Sequence, residues 1–253
     1  MYTPTVCLPH EFEGVRALVT GGSRGIGAAI AQRFLDGGAA VVTTARSFSH
    51  DTPGASTFIA ADVSTAARAQ RLVEQVLNTL GGLDILINNA GASQVHMGGA
   101  STIPDEEWQQ SMDINFLAAV RLLNAALPAL KESGRGAVVN IAATGALTAP
   151  PPLLHYATAK AALLVYGQGM AKELAASGIR VNSVTPGSVR TPGGTAVLQN
   201  IADAVGAPVD AITANIPLGR VGDPRDIAEI VAFLSSARAQ WITGQNFVVS
   251  GGE

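Results

Sequence analysis

An α/β fold, a doubly wound parallel sheet of about seven strands with helices on both faces, is what this sequence predicts. Three observations carry it. Short apolar runs alternate with helix-length segments through nearly all of the chain. Those short runs are apolar without strict polar alternation, as strands covered on both faces are. No linker, repeat or low-complexity segment divides the 253 residues.

Residues 1–12 have two prolines and no periodicity, and read as an arm or tail before a single domain over 13–253. Residues 16–20 form a first strand and 25–36 a helix, stopped by Gly37 and Gly38. Residues 40–44 and 57–61 are the next two strands. Ser64 can cap a helix running to about residue 80. Residues 83–88 are a fourth strand, 105–130 a long helix and 137–141 a fifth strand. A helix over 156–176 is closed by Gly178, and 179–185 is a sixth strand. Asp223 and Pro224 make a cap and first-turn pair for a helix to residue 235. Residues 246–249 are the last strand. The stretch 192–217 is long for a connection and reads as irregular. Its place just after a strand makes it a candidate substrate lid. Val197, Leu198, Ile201, Val205, Ile212 and Ile216 would give that lid an apolar face.

Composition narrows the function. Hydrophobic residues are 47% and charged residues 14%, which favours a large core over disorder. With a net charge of -3 and scattered basic residues, no nucleic-acid footprint is expected. No basic segment followed by an apolar run opens the chain, and no uninterrupted apolar stretch reaches a membrane span. The expectation is a cytoplasmic protein with no membrane partner. Cys7 is the only cysteine, so no internal disulfide can form.

Between the first strand and first helix lies TGGSRGIG, with Gly21, Gly25 and Gly27 spaced G-x-x-x-G-x-G. Glycines there allow a tight turn and close backbone approach to a pyrophosphate, which the free N–H groups of the helix start would bind. Ser23 and Ile26 complete that turn. At the end of the second strand, Ala45 stands where an acidic residue would select NAD(H). Arg46 follows it, and Arg24 lies in the glycine turn. Two guanidinium groups suit a ribose 2′-phosphate, so NADP(H) is the expected cofactor. Tyr156 and Lys160, four apart, share one helix face. A cation near a phenol lowers its pKa toward a range useful for proton exchange.

TGGSRGIG, NNAG at 88–91, Asn115, YATAK at 156–160 and PGSVRT at 186–191 occur in this order. Together they resemble the short-chain dehydrogenase/reductase family, a Rossmann-type fold, over roughly residues 14–252. The tail, GRVGDPRDIAEIVAFLSS onward, is similar to 3-oxoacyl-reductase-like members, except that Ser250 replaces an aspartate before Gly251 and Gly252. The resemblance implies that Asp62 and Val63 flank an adenine and that Asn89, Ala90 and Gly91 line the adenosine half. It implies that Asn115 holds a helix kink and an ordered water. Tyr156 becomes the general acid/base and Lys160 the ribose-binding partner. Pro186, Gly187, Val189 and Thr191 line the carboxamide site. It also implies a small carbonyl or alcohol substrate and a homo-oligomer, tetramer or dimer.

One position departs from the family. Most members carry a serine thirteen residues before the tyrosine, and this chain has Ala143. Thr144 could serve after a one-residue loop shift, Tyr156 could act without the hydroxyl, or the alanine could be an engineered change. A nucleotide-binding module or redox sensor with weakened catalysis is the alternative function. His155 is expected to point about 100° from Tyr156. Trp108 and Trp241 read as packing residues, and Asp84 as a structural partner.

Overall fold

Seven parallel strands form one sheet in the order β3-β2-β1-β4-β5-β6-β7. The strands are β1 Arg16–Thr20, β2 Ala40–Ala45, β3 Thr57–Ala60, β4 Ile85–Asn88, β5 Ala137–Ile141, β6 Arg180–Pro186 and β7 Asn246–Val249. This is the doubly wound arrangement that the alternating pattern predicts. The computed structural model describes residues 10–253. Cys7 and the rest of the expected arm up to residue 9 lie outside the described residues.

Alternation along the strands splits the core between the two faces. Ala17, Val19, Ile85, Ile87 and Val139 pack toward one cluster, and Leu18, Leu86 and Val138 toward the other. The first face is covered by α1 (Gly25–Asp36) and α9 (Pro224–Ser235), which pack on each other. The second is covered by α2 (Ala66–Leu80) and α4 (Ala118–Ser133), with the end of α6 (Leu154–Leu174). Asp223 caps α9 in a reciprocal capping box with Asp226, and Pro224 takes its first turn, as the sequence predicts.

Several local readings change. Thr65, not Ser64, caps α2, because the Ser64 hydroxyl donates to Asp62. The long helix over 105–130 is three pieces: α3 (Asp105–Met112), a π turn (Asp113–Leu117) and α4. The combined run 105–133 is long and apolar enough by composition to cross a membrane, yet Leu122, Leu123, Ala126 and Leu130 are fully buried in the core. The stretch expected to be irregular after 192 contains α7 (Pro192–Val205) and α8 (Val209–Thr213). Before them, α5 (Gly145–Thr148) precedes α6. Glu11 and Phe12 are not tail-like. Phe12 stacks edge-on against Phe34 at 4.9 Å, and Glu11 binds Arg33 and Arg238. Trp241, expected to pack, is fully exposed.

Asp84 is structural, as expected. It is 1% exposed, at the edge of the sheet opposite the strand C-termini. Burial alone would raise its pKa. Hydrogen bonds from Arg16, Ser133 and Arg135 overcome that and hold the carboxyl well below the usual range.

Candidate active site

The strand order reverses between β1 and β4, and the crevice beyond their C-terminal ends is where this architecture binds ligands. Gly21, Arg46, Asp62, Asn89, Ala143 and Gly187 all follow strand ends on that edge.

The glycine turn is locked from beneath. The Thr20 hydroxyl donates to the Ile87 carbonyl and accepts from the N–H groups of Asn89 and Ala90, each at 3.0 Å. Asn89 Nδ2 donates to the Thr20 and Gly21 carbonyls at 2.9 and 3.1 Å. Thr20 is a brace that the sequence did not single out. The Asn89 amide, expected beside the adenosine, is committed to this turn. Gly21 and Gly25 have φ of +63° and +57°, which side-chain-bearing residues rarely adopt. A Cβ at Gly27 would lie 2.2 Å from the Gly21 carbonyl oxygen. The start of α1 is therefore pressed against the turn, with its first N–H groups at the crevice. Ser23 is buried within the turn, where its carbonyl accepts from Thr52, while Ile26 packs against the core.

Arg24, in extended conformation, is the N-cap residue of α1 and is exposed; Arg46 is exposed beyond β2. Neither guanidinium makes a hydrogen bond among the described residues, although the Arg24 carbonyl accepts from the Ala28 N–H. Arg46 is near enough to Asp62 to help lower its carboxyl pKa. Asp62 binds the Ser64 N–H and hydroxyl and pairs with Arg68, so its carboxylate is engaged locally. Val63 is buried in the core below it.

Asn115 sits in the π turn, 2% exposed. Its Oδ1 accepts from the Ala92 N–H at 3.0 Å, and its Nδ2 donates to the Ala92 carbonyl at 2.8 Å and the Ser111 hydroxyl at 3.2 Å. The π turn interrupts the regular helix at the position where a kink is expected. A Cβ at Gly91 would lie 2.9 Å from Asn115 Oδ1 and 3.4 Å from Lys160 Nζ. Gly91 thus fills the space between two predicted site residues.

Lys160 is 3% exposed, and its ammonium donates to the Ile141 carbonyl at 2.7 Å, at the end of β5. Its Nζ lies 5.9 Å from the Tyr156 ring centre. Burial pushes the lysine down to about 8 and the tyrosine up to about 12. The sequence-based expectation of a lowered tyrosine is reversed here. Loss of hydration outweighs a cation that stands off the ring and is already bonded to a carbonyl.

Ala143 and Thr144 lie between β5 and α5. The Thr144 N–H donates to the Pro186 carbonyl at 3.0 Å, which ties this loop to the end of β6. The Thr144 side chain makes no capping bond to α5. Past Pro186, the Gly187 N–H donates to the Val249 carbonyl and Val189 bridges Gly222. The Thr191 hydroxyl caps α7 by accepting from Gly194 at 2.9 Å. A Cβ at Gly25 would touch Thr191 at 3.1 Å, so the start of α7 closes onto the glycine turn. His155 is buried against His96 and Trp108.

The sheet order and the braced glycine turn at its switch point define a doubly wound dinucleotide-binding architecture. Comparisons carry this further. Residues 21–253 match the family model described as enoyl-(acyl carrier protein) reductase. The chain is 34% identical to the 3-oxoacyl-(acyl-carrier-protein) reductase FabG of Vibrio cholerae, over 96% of this chain and 98% of that protein. It is 36% identical to the FabG reductase of Haemophilus influenzae, over 95% and 98% respectively. Among solved structures, the ligand-free aldohexose dehydrogenase of Thermoplasma acidophilum aligns with a TM-score of 0.87 at 26% identity, over 97% of this chain and 96% of that one. Levodione reductase aligns at 0.88 and 26%, over 95% and 98%. The chain belongs to the short-chain dehydrogenase/reductase family of oxidoreductases.

Proposed function

We propose that this chain is an NADP(H)-dependent reductase interconverting a ketone and a secondary alcohol. The observation that carries the reading is the meeting of Lys160, Gly91 and Asn115, with Tyr156 one helical turn from the lysine, beside the braced glycine turn. The residues present fit the cofactor: Gly21 and Gly25 are left-handed, and a Cβ at Gly27 would strike the Gly21 carbonyl, so only glycines let the turn and the start of α1 pack this closely. Gly21, Ser23, Gly25, Ile26 and Gly27 would hold the pyrophosphate. Arg24 and Arg46, both exposed, would meet a 2′-phosphate, with Asp62, Val63 and Asn89–Gly91 around the adenosine side. Pro186, Gly187, Val189 and Thr191 would border the carboxamide. When bound, the nicotinamide supplies the hydride.

The chain's own part is the proton. Burial raises the phenol's pKa, so Tyr156 is protonated through the neutral range and has a proton to give to a ketone oxygen. Lys160, fixed by Ile141, would place its cation at the cofactor ribose and favour the phenolate that donation leaves. Asn115 holds the loop at Ala92 through both amide atoms. Ala143 supplies no hydroxyl to the substrate oxygen, and Thr144 is the nearest residue in sequence that could. The names of the FabG relatives make 3-oxoacyl thioesters the first substrates to try. Residues 192–217 would cover the substrate, and a cytoplasmic homo-oligomer is the assembly this reading expects.

The test is a panel of ketones, 3-oxoacyl thioesters included, with NADPH and NADH, run beside binding titrations. NADPH-dependent reduction supports the proposal. Tight NADPH binding without turnover on any ketone would favour the binding module or sensor. Tighter binding of NADH would overturn the roles given to Arg24 and Arg46.

A further inference from the structure

Beside the catalytic helix start lies a cluster that the oxidoreductase reading does not use. His96 comes from the loop after β4, Glu107 from the first turn of α3 and His155 from the first turn of α6. One ligand-type atom from each lies within 4.8 Å of the other two. Among the described residues, this is the one group of three His, Cys, Asp or Glu side chains so arranged.

We propose that His96, Glu107 and His155 bind a divalent transition-metal ion of the zinc class. Two imidazoles and one carboxylate are a donor set that Zn²⁺ accepts, while Mg²⁺ and Ca²⁺ favour oxygen ligands. His96 Nε2 and Glu107 Oε2 already lie 2.8 Å apart, sharing one proton that an ion would replace. The His155 ring is 5.5 Å from that of His96, edge to face. His155 is 3% exposed, and its Nδ1 has no hydrogen-bond partner. A buried nitrogen left unpaired is costly, and such groups are rare unless an ion or water serves them. Metal–ligand bonds of about 2.0–2.2 Å place tetrahedral ligands roughly 3.3–3.6 Å apart. That separation falls between the 2.8 Å observed for one pair and the 4.8 Å within which all three atoms lie, so modest side-chain rotation completes the site. Three protein donors leave a fourth place for water.

The cluster sits where an ion would act as a clip. The His96 N–H already donates to the Pro152 carbonyl at 2.9 Å, just ahead of α6. An ion would join that loop, α3 and the residue preceding Tyr156 at one point. It would stabilise the chain by binding only the folded form.

The test uses the full chain, stripped with chelator and titrated calorimetrically with Zn²⁺. The expected result is one ion per chain, a rise in melting temperature, and no response to Mg²⁺. Co²⁺ in place of Zn²⁺ should give the visible absorption of a tetrahedral site. His96→Gln, Glu107→Gln and His155→Asn should each weaken binding by more than about 100-fold, since even outer partners of a ligand cost 10–100-fold. His10 and His50, both exposed and beside carboxylates, are the rival surface binders. The double variant His10→Gln, His50→Gln should bind as the parent does. Absence of stoichiometric binding, binding that survives His96→Gln and Glu107→Gln, or binding lost in the surface double variant would each overturn the proposal.

Discussion

Gly27→Ala tests the reasoning about the nucleotide cradle. The added Cβ would lie 2.2 Å from the Gly21 carbonyl oxygen, 2.5 Å from Asn89 Nδ2 and 2.8 Å from the Gly21 carbonyl carbon. The contacts at Gly21 are backbone, so rotating a side chain cannot relieve them. Overpacking of this kind costs about 1–3 kcal/mol. Displacing Asn89 would also break its bonds to the Thr20 and Gly21 carbonyls, at about 1 kcal/mol each. The sum is about 3–5 kcal/mol, which for a chain of this size lowers Tm by roughly 6–20 °C. Differential scanning calorimetry measures that shift, and a fluorescence titration with NADPH measures the cradle. Affinity should fall at least about tenfold, because about 1.4 kcal/mol of lost binding suffices. A Tm within about 2 °C of the parent, together with unchanged NADPH affinity, would refute the claim that the turn has no room.

Three other outcomes are expected. Ala143→Ser should raise the rate of ketone reduction, by up to about 10²–10³ if no other group fills the role; if Thr144 already does, Thr144→Ala should lose activity and Ala143→Ser should gain little. Asp84→Asn should destabilise the chain by about 1–3 kcal/mol at neutral pH, because the buried carboxylate's bonds from Arg16 and Arg135 are lost while both arginines keep access to water. The folded carboxyl lies below its unfolded value of about 3.9, so its stabilisation is complete above that pH and fades as pH falls toward the folded value. Urea melts across acid pH should therefore slope less steeply for Asp84→Asn than for the parent. Asn115→Ala removes three hydrogen bonds between the π turn, Ser111 and the loop at Ala92, and should cost about 2–4 kcal/mol in the same melts.

The sheet was legible because its strands are short apolar runs buried on both sides. The glycine turn was legible because left-handed backbone and close approach leave few other residues at Gly21, Gly25 and Gly27. Harder features share a physical reason. Val197, Leu198, Ile201 and Val205 recur at helical spacing in α7 and Thr191 and Pro192 are a cap and first-turn pair, so that helix was legible; its exposed setting, with only Ala202 buried, is what the sequence did not display. The π turn inserts one residue into an otherwise helical pattern, and Asn115 alone hints at it. The bracing done by Thr20 and Asn89 depends on β1 and β4 being neighbours, which sequence spacing does not display. His96, Glu107 and His155 meet only after three elements pack. The tyrosine's pKa direction turned on burial, and counting four residues to Lys160 could not weigh that against the cation.

The central claim is that Tyr156 delivers the proton in a nicotinamide-dependent carbonyl reduction. It is tested most directly by comparing Tyr156→Phe with the parent on one reducible ketone, under saturating NADPH, with NADPH affinity measured in parallel. The phenylalanine keeps the ring and removes the one hydroxyl. The account predicts a rate lower by about 10²–10⁴ with NADPH affinity changed little. An undiminished rate would contradict it.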